Sequence, residues 1–121
     1  MMRESTLPAR VQPPVRAMSE AELQRLVTDA ASALGWQWLH VRPGRTLTGW
    51  ATPTSGPLGL GWPDLTLIRP RDRRVLLLEV KAAKGVVSAA QATCHELLRS
   101  AGLDVRVVRP RDVEALLELL R

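Results

Sequence analysis

Cysteine is nearly absent: Cys94 stands alone in 121 residues, so neither an internal disulfide nor a cysteine-based zinc site can form within one chain. A lone thiol fits a reducing compartment. No apolar run approaches the roughly 18 residues needed to span a bilayer, and the N-terminus lacks the apolar stretch of a secretory signal. These absences predict a cytoplasmic chain with no membrane partner. No internal repeat is present. Gly56, Gly59 and Gly61 suggest a phosphate-binding loop, but no Gly-Lys-Ser/Thr follows and their segment leads into a strand, which excludes that reading. Lysine is scarce too, at Lys81 and Lys84 only, so fifteen of the 17 basic residues are arginine.

What is present is a globular composition, 45% hydrophobic and 24% charged, at a length suited to one domain. The net charge is +5. Guanidinium forks match phosphate oxygens, so a basic balance carried by arginine suits DNA, although it equally suits a surface that only keeps the chain soluble. Residues 1–17 hold Pro8, Pro13 and Pro14 with Arg3, Arg10 and Arg16 but few large apolar groups, and predict a disordered basic tail. The domain is expected over 18–121.

Ser19 is a good N-cap, and Leu23, Leu26, Val27, Ala30 and Leu34 recur at helical spacing until Gly35. Trp36–Val41 reads as a strand. Residues 42–61 are dense in Gly, Pro and Thr and read as a long loop near something functional, or a flap. Asp64–Pro70 and Arg74–Lys81, joined by a polar turn at Arg71–Arg73, form a hairpin. Ser88 and Gln91 have capping-box spacing and open a helix ending near Gly102. Leu103–Val108 is a fourth strand, parallel to its predecessor because a helix intervenes, and Pro110 starts a last helix. Helix, three strands, helix, strand, helix implies an α/β fold with a mixed central sheet flanked by helices. The apolar positions of the last helix, Val113, Leu116, Leu117 and Leu120, suit either a homodimer interface or the chain's own sheet.

One strand is chemically odd. Arg74–Lys81 ends an apolar run with Glu79 and Lys81, which alternation puts on one face, while Asp64 begins the preceding strand. Counting outward from a turn centred near Asp72 sets Asp64 opposite about Val80. Two carboxylates meeting at the edge of a sheet repel unless a cation lies between them, which invites a hard divalent ion, Mg²⁺ or Mn²⁺. Lys81 beside them can orient a water or neutralise an anion, and the set suits phosphodiester hydrolysis. Taken singly, these residues also read as a surface ion pair and a strand-initiating aspartate.

Gly61-Trp62-Pro63-Asp64-Leu65, then Leu78-Glu79-Val80-Lys81, then Ser88-x-x-Gln91 resemble the signature of the PD-(D/E)xK nucleases, and within them the VRR-NUC branch found in phage and bacterial stand-alone nucleases and in a eukaryotic repair nuclease. The resemblance covers about Ser19 to the C-terminus. It implies a restriction-endonuclease-like α-β-β-β-α-β core with an extra C-terminal helix. It further implies that Asp64 and Glu79 ligate a metal with the Val80 carbonyl, that Lys81 is catalytic and that Gln91 supports the site. A glutamate of the first helix usually completes such sites; Glu20 is expected there, with Glu22 its competitor. The implied activity is a DNA endonuclease selective for branched structure, with a sequence-specific restriction enzyme or a non-catalytic DNA-binding module as rivals. Arg42, Arg45, Arg69, Arg71, Arg73, Arg74 and Lys84 are the candidate phosphate contacts. His40 is expected to be structural or solvated.

Overall fold

Ser19 opens the first helix as expected. Its backbone is extended and its hydroxyl accepts the Glu22 amide at 3.1 Å, satisfying one of the N–H groups that a helix start leaves unpaired. The structure is a computed structural model describing residues 18–41, 44–46, 49–51 and 54–121. The expected tail, 1–17, lies outside the described residues, as does Arg42. In chain order the elements are α1 (Glu20–Ala33), β1 (Gln37–His40), β2 (Gly44–Thr46), β3 (Gly49–Ala51), β4 (Leu65–Arg69), β5 (Arg74–Val80), α2 (Ala89–Ser100), β6 (Asp104–Val108) and α3 (Val113–Leu120).

The four longer strands make one mixed sheet in the order β1-β4-β5-β6, antiparallel except for the parallel pair β5 and β6 bridged by α2. The expected α-β-β-β-α-β core with its C-terminal helix is therefore present. One expectation needs correcting. The segment read as a loop over 42–61 carries β2 and β3, an antiparallel pair with Arg45 opposite Trp50. Three-residue strands are too short to show alternation, so periodicity could not find them.

Alternation along the sheet separates two cores. Leu65, Leu67, Leu76, Leu78, Val80 and Val108 face α1 and α3, meeting Leu23, Val27, Ala31, Trp36, Leu116 and Leu120. Leu77 and Val105 face α2, meeting Cys94 and Leu98, with Leu58, Trp62 and Leu103 at the margin. β5 is covered on both sides, which is why its sequence reads as an unbroken apolar run. Glu79 thus enters a layer that excludes water, and its surroundings must be explained by function or by partners. The last helix buries Leu116 and Leu120 against its own sheet, with Val113 and Leu119 packed beside them. Leu116 and Leu120 are thus used within the chain.

The turn between β4 and β5 forms a second pole. Arg69 is 2% exposed. It donates to the carbonyls of Leu34, Leu120 and Arg121 and to the Asp72 carboxylate, and its guanidinium lies 4.5 Å from the Trp36 ring centroid. Arg74 donates to the carbonyls of Leu119 and Arg121. These cations close the carbonyl ends of α1 and α3. The tetrapeptide Arg-Pro-Arg-Asp recurs at 109–112, again as a 3-10 turn after a strand, and Asp112 Oδ2 accepts the Arg109 amide at 2.8 Å. No helix among the described residues is long and apolar enough to cross a membrane.

Candidate active site

The opposite end of the β4/β5 hairpin carries the carboxylates. Leu65 pairs with Leu78 and Arg69 with Arg74, so the turn holds the four residues 70–73 and its centre falls between Arg71 and Asp72. Continuing that register sets Asp64 across from Glu79, one residue from the expected Val80. The Asp64 side chain still reaches Val80, whose amide donates to Oδ2 at 2.8 Å. On the other side the Val41 amide donates to the Asp64 carbonyl at 2.8 Å, so the residue is tied to strands on both flanks. Gly61 explains the first position of its motif: a Cβ there would lie 2.7 Å from the Ala90 carbonyl carbon and 2.8 Å from Cys94 Cβ. Only glycine lets this turn pass under the start of α2.

Glu79 is 1% exposed and faces α2. Gln91 Nε2 donates to its Oε2 at 3.2 Å, and Lys81 Nζ stands 3.7 Å from the same oxygen. Burial pushes the Glu79 carboxyl up to about 8, and a hydrogen bond to Asp64 with that residue's charge pushes the same way. Lys81 opposes them and Glu20 adds to them. Two carboxylates so placed share a proton unless a cation takes its place.

Gln91 holds this arrangement through the helix cap. The Ser88 hydroxyl accepts the Gln91 amide at 3.1 Å, while the Ser88 amide donates to Gln91 Oε1 at 2.9 Å. The side-chain amide therefore fixes the start of α2 with its oxygen and Glu79 with its nitrogen. One turn later His95, 2% exposed, points Nε2 at Glu79 Oε1 across 3.5 Å. Burial, with the Arg99 charge behind it, pulls the imidazole below its usual value and keeps it neutral. Sequence reasoning missed His95, although its i+4 spacing from Gln91 was visible and puts both on one helix face.

The remaining candidates divide by location. Glu20, at the first turn of α1, is close enough for its charge to act on Glu79, whereas Glu22 accepts from the Ser19 hydroxyl at 3.1 Å and belongs to the cap. Lys84 is exposed on the loop between β5 and α2. Arg109, which the sequence did not single out, anchors that loop by donating to the carbonyls of Ala82 (2.9 Å) and Gly85 (2.6 Å). Arg45 lies in β2. Arg69, Arg71, Arg73 and Arg74 sit at the far pole, five strand residues from Asp64, or roughly 17 Å at about 3.4 Å per residue. Arg69 in particular is enclosed and bonded, with no face left for a phosphate. His40 is half-buried, its Nδ1 3.1 Å from Gln24 Nε2.

Among the described residues no three His, Cys, Asp or Glu side chains form a ready-made metal cage. The donor set is the two adjoining carboxylates of Asp64 and Glu79. That set fits Mg²⁺ or Mn²⁺, which take one or two carboxylates and fill their remaining positions with water and phosphate oxygens. No curated protein and no solved structure matches the chain significantly. The profile of the VRR-NUC domain matches residues 16–112, spanning α1, strands β1 to β6 and α2 with its cap. The chain belongs to the VRR-NUC family of nuclease domains.

Proposed function

We propose that this protein is a divalent-metal-dependent endodeoxyribonuclease of the PD-(D/E)xK type that hydrolyses phosphodiester bonds in branched DNA during replication, recombination or repair. The carrying observation is the Asp64–Glu79 pair, held together by the Val80 amide and by Gln91, with Lys81 Nζ 3.7 Å from Glu79. Asp64, Glu79 and the Val80 carbonyl hold the ion, with Glu20 contributing from α1. Bound there, Mg²⁺ or Mn²⁺ polarises the scissile phosphate and makes a water easier to deprotonate. Lys81 places its ammonium where negative charge develops during attack, in a partly enclosed setting where charge stabilisation is stronger than in water. Gln91 keeps the Glu79 carboxylate turned toward that position. Lys84 gives the flanking DNA a backbone contact on the same side. Preference for branched over linear DNA rests on the family resemblance.

The test is cleavage of labelled duplex, single-stranded, flap, splayed-arm and four-way-junction DNA with Mg²⁺ or Mn²⁺. Cleavage of the branched substrates that disappears with chelator and in both Asp64→Ala and Lys81→Ala supports the reading. Binding without cleavage, indifferent to chelator, would instead make this a DNA-binding module. Cleavage of linear duplex at one recurring sequence would make it a restriction-type enzyme.

A further inference from the structure

Gln91 and Lys81 account for one oxygen of Glu79, and without an ion the carboxyl also shares a proton with Asp64. The other, Oε1, is buried and has no hydrogen-bond partner, and the same is true of His95 Nε2. The two unpaired atoms face each other at 3.5 Å, on side chains 1% and 2% exposed. Buried polar groups are nearly always hydrogen-bonded, so two complementary orphans just beyond bonding distance mark a contact that closes when either moves by about half an ångström. His95 cannot drift far, because α2 is fixed at its start by the Ser88–Gln91 cap and held to the sheet through Leu98 and Cys94.

We propose that His95 is a positioning residue for the metal-binding carboxylate: its Nε2–H donates to Glu79 Oε1 and, with Gln91 on the opposite oxygen, stops the carboxylate from rotating. This rests on the metal-dependent reading above. A carboxylate held on both oxygens meets an ion already aligned, and partners of this kind typically change metal affinity by about 10- to 100-fold. Glutamine puts its amide nitrogen near the place of Nε2, whereas leucine fills similar space with no donor.

The experiment is calorimetric titration of the intact chain with MnCl₂, comparing wild type, His95→Leu, His95→Gln and Asp64→Asn. The expected result is at least about tenfold weaker Mn²⁺ binding in His95→Leu and recovery to within about threefold of wild type in His95→Gln. In the unsubstituted chain labelled with ¹⁵N-histidine, Mg²⁺ should bring out an exchange-protected Nε2–H signal from His95. Wild-type affinity in His95→Leu, equal weakening in both His95 variants, or no protected Nε2–H would overturn the proposal. If wild type binds and Asp64→Asn does not, the metal-dependent reading survives that loss; if wild type fails to bind Mn²⁺, both fall.

Discussion

Gln91 makes two hydrogen bonds with one side-chain amide, accepting from the Ser88 amide at 2.9 Å and donating to Glu79 Oε2 at 3.2 Å. The helix start and the candidate site are thereby one structure. Gln91→Glu separates the two functions: a glutamate still accepts from Ser88 but sets a third carboxylate beside Asp64 and Glu79. Helix stability should change by less than about 1 kcal/mol, while cleavage at fixed Mg²⁺ falls by about tenfold or more. Thermal unfolding and single-turnover cleavage measured together check this; equal losses in both would mean the contact is only a cap.

Removing the charge of Asp64 should abolish cleavage without unfolding the protein. Asparagine can still accept the Val80 amide through its carbonyl, and it removes the Asp64 charge that adds to burial in keeping Glu79 protonated. Asp64→Asn is therefore expected to fold with at least wild-type stability when no metal is present, and to lose cleavage by about 10²-fold or more. A variant that cuts normally would remove Asp64 from the site.

The pH dependence of stability follows from Glu79. Its folded value, about 8, lies above the ordinary 4.5, so folding favours the protonated form. That contribution is complete below about pH 4.5 and is lost as the pH rises through about 8. Without metal, stability should fall by up to about 5 kcal/mol across this window, at about 1.4 kcal/mol per pH unit, and Glu79→Gln should flatten the slope. An ion bound between the carboxylates would take the place of the shared proton, so stabilisation by Mn²⁺ should grow over the same range. Melting curves at several pH values, with and without Mn²⁺, would contradict this if wild type and Glu79→Gln ran parallel.

Arg69 and Lys84 should behave oppositely although both read as phosphate contacts in the sequence. Arg69→Met removes bonds to Leu34, Leu120, Arg121 and Asp72 and leaves carbonyls unpaired, a loss of roughly 2–4 kcal/mol with cleavage per folded molecule unchanged. Lys84→Ala should leave stability within about 0.5 kcal/mol and reduce the salt slope of DNA binding by about 1. Denaturant titration and binding at several salt concentrations decide both.

Gly61→Ala tests the close approach beneath α2. A methyl group there meets the Ala90 main chain and Cys94 Cβ, so the helix must shift or the turn must open. The expected loss is about 1–3 kcal/mol, with cleavage reduced further than the folded fraction because Gln91 moves with α2. Full activity in the folded variant would show that the approach matters only for packing.

Much of this protein is determined by sequence alone. Alternation, helical spacing and the Ser19 and Ser88 caps specify the elements and their order, because each reports a period or a terminus within a few residues of chain. The Gly61–Leu65 and Leu78–Lys81 motifs likewise bring Asp64, Glu79 and Lys81 to one end of a hairpin, since a tight turn dictates which strand ends meet. The tertiary structure decided what depends on distant chain. It chose the register that opposes Asp64 to Glu79, because pairing Arg69 with Arg74 leaves an even number of turn residues. It enclosed Arg69 beneath the ends of α1 and α3, a fate invisible in a basic cluster because burial depends on residues up to 52 positions away. It also brought His95 over Glu79, since only the docking of α2 on β5 decides which of its side chains reaches the carboxylate.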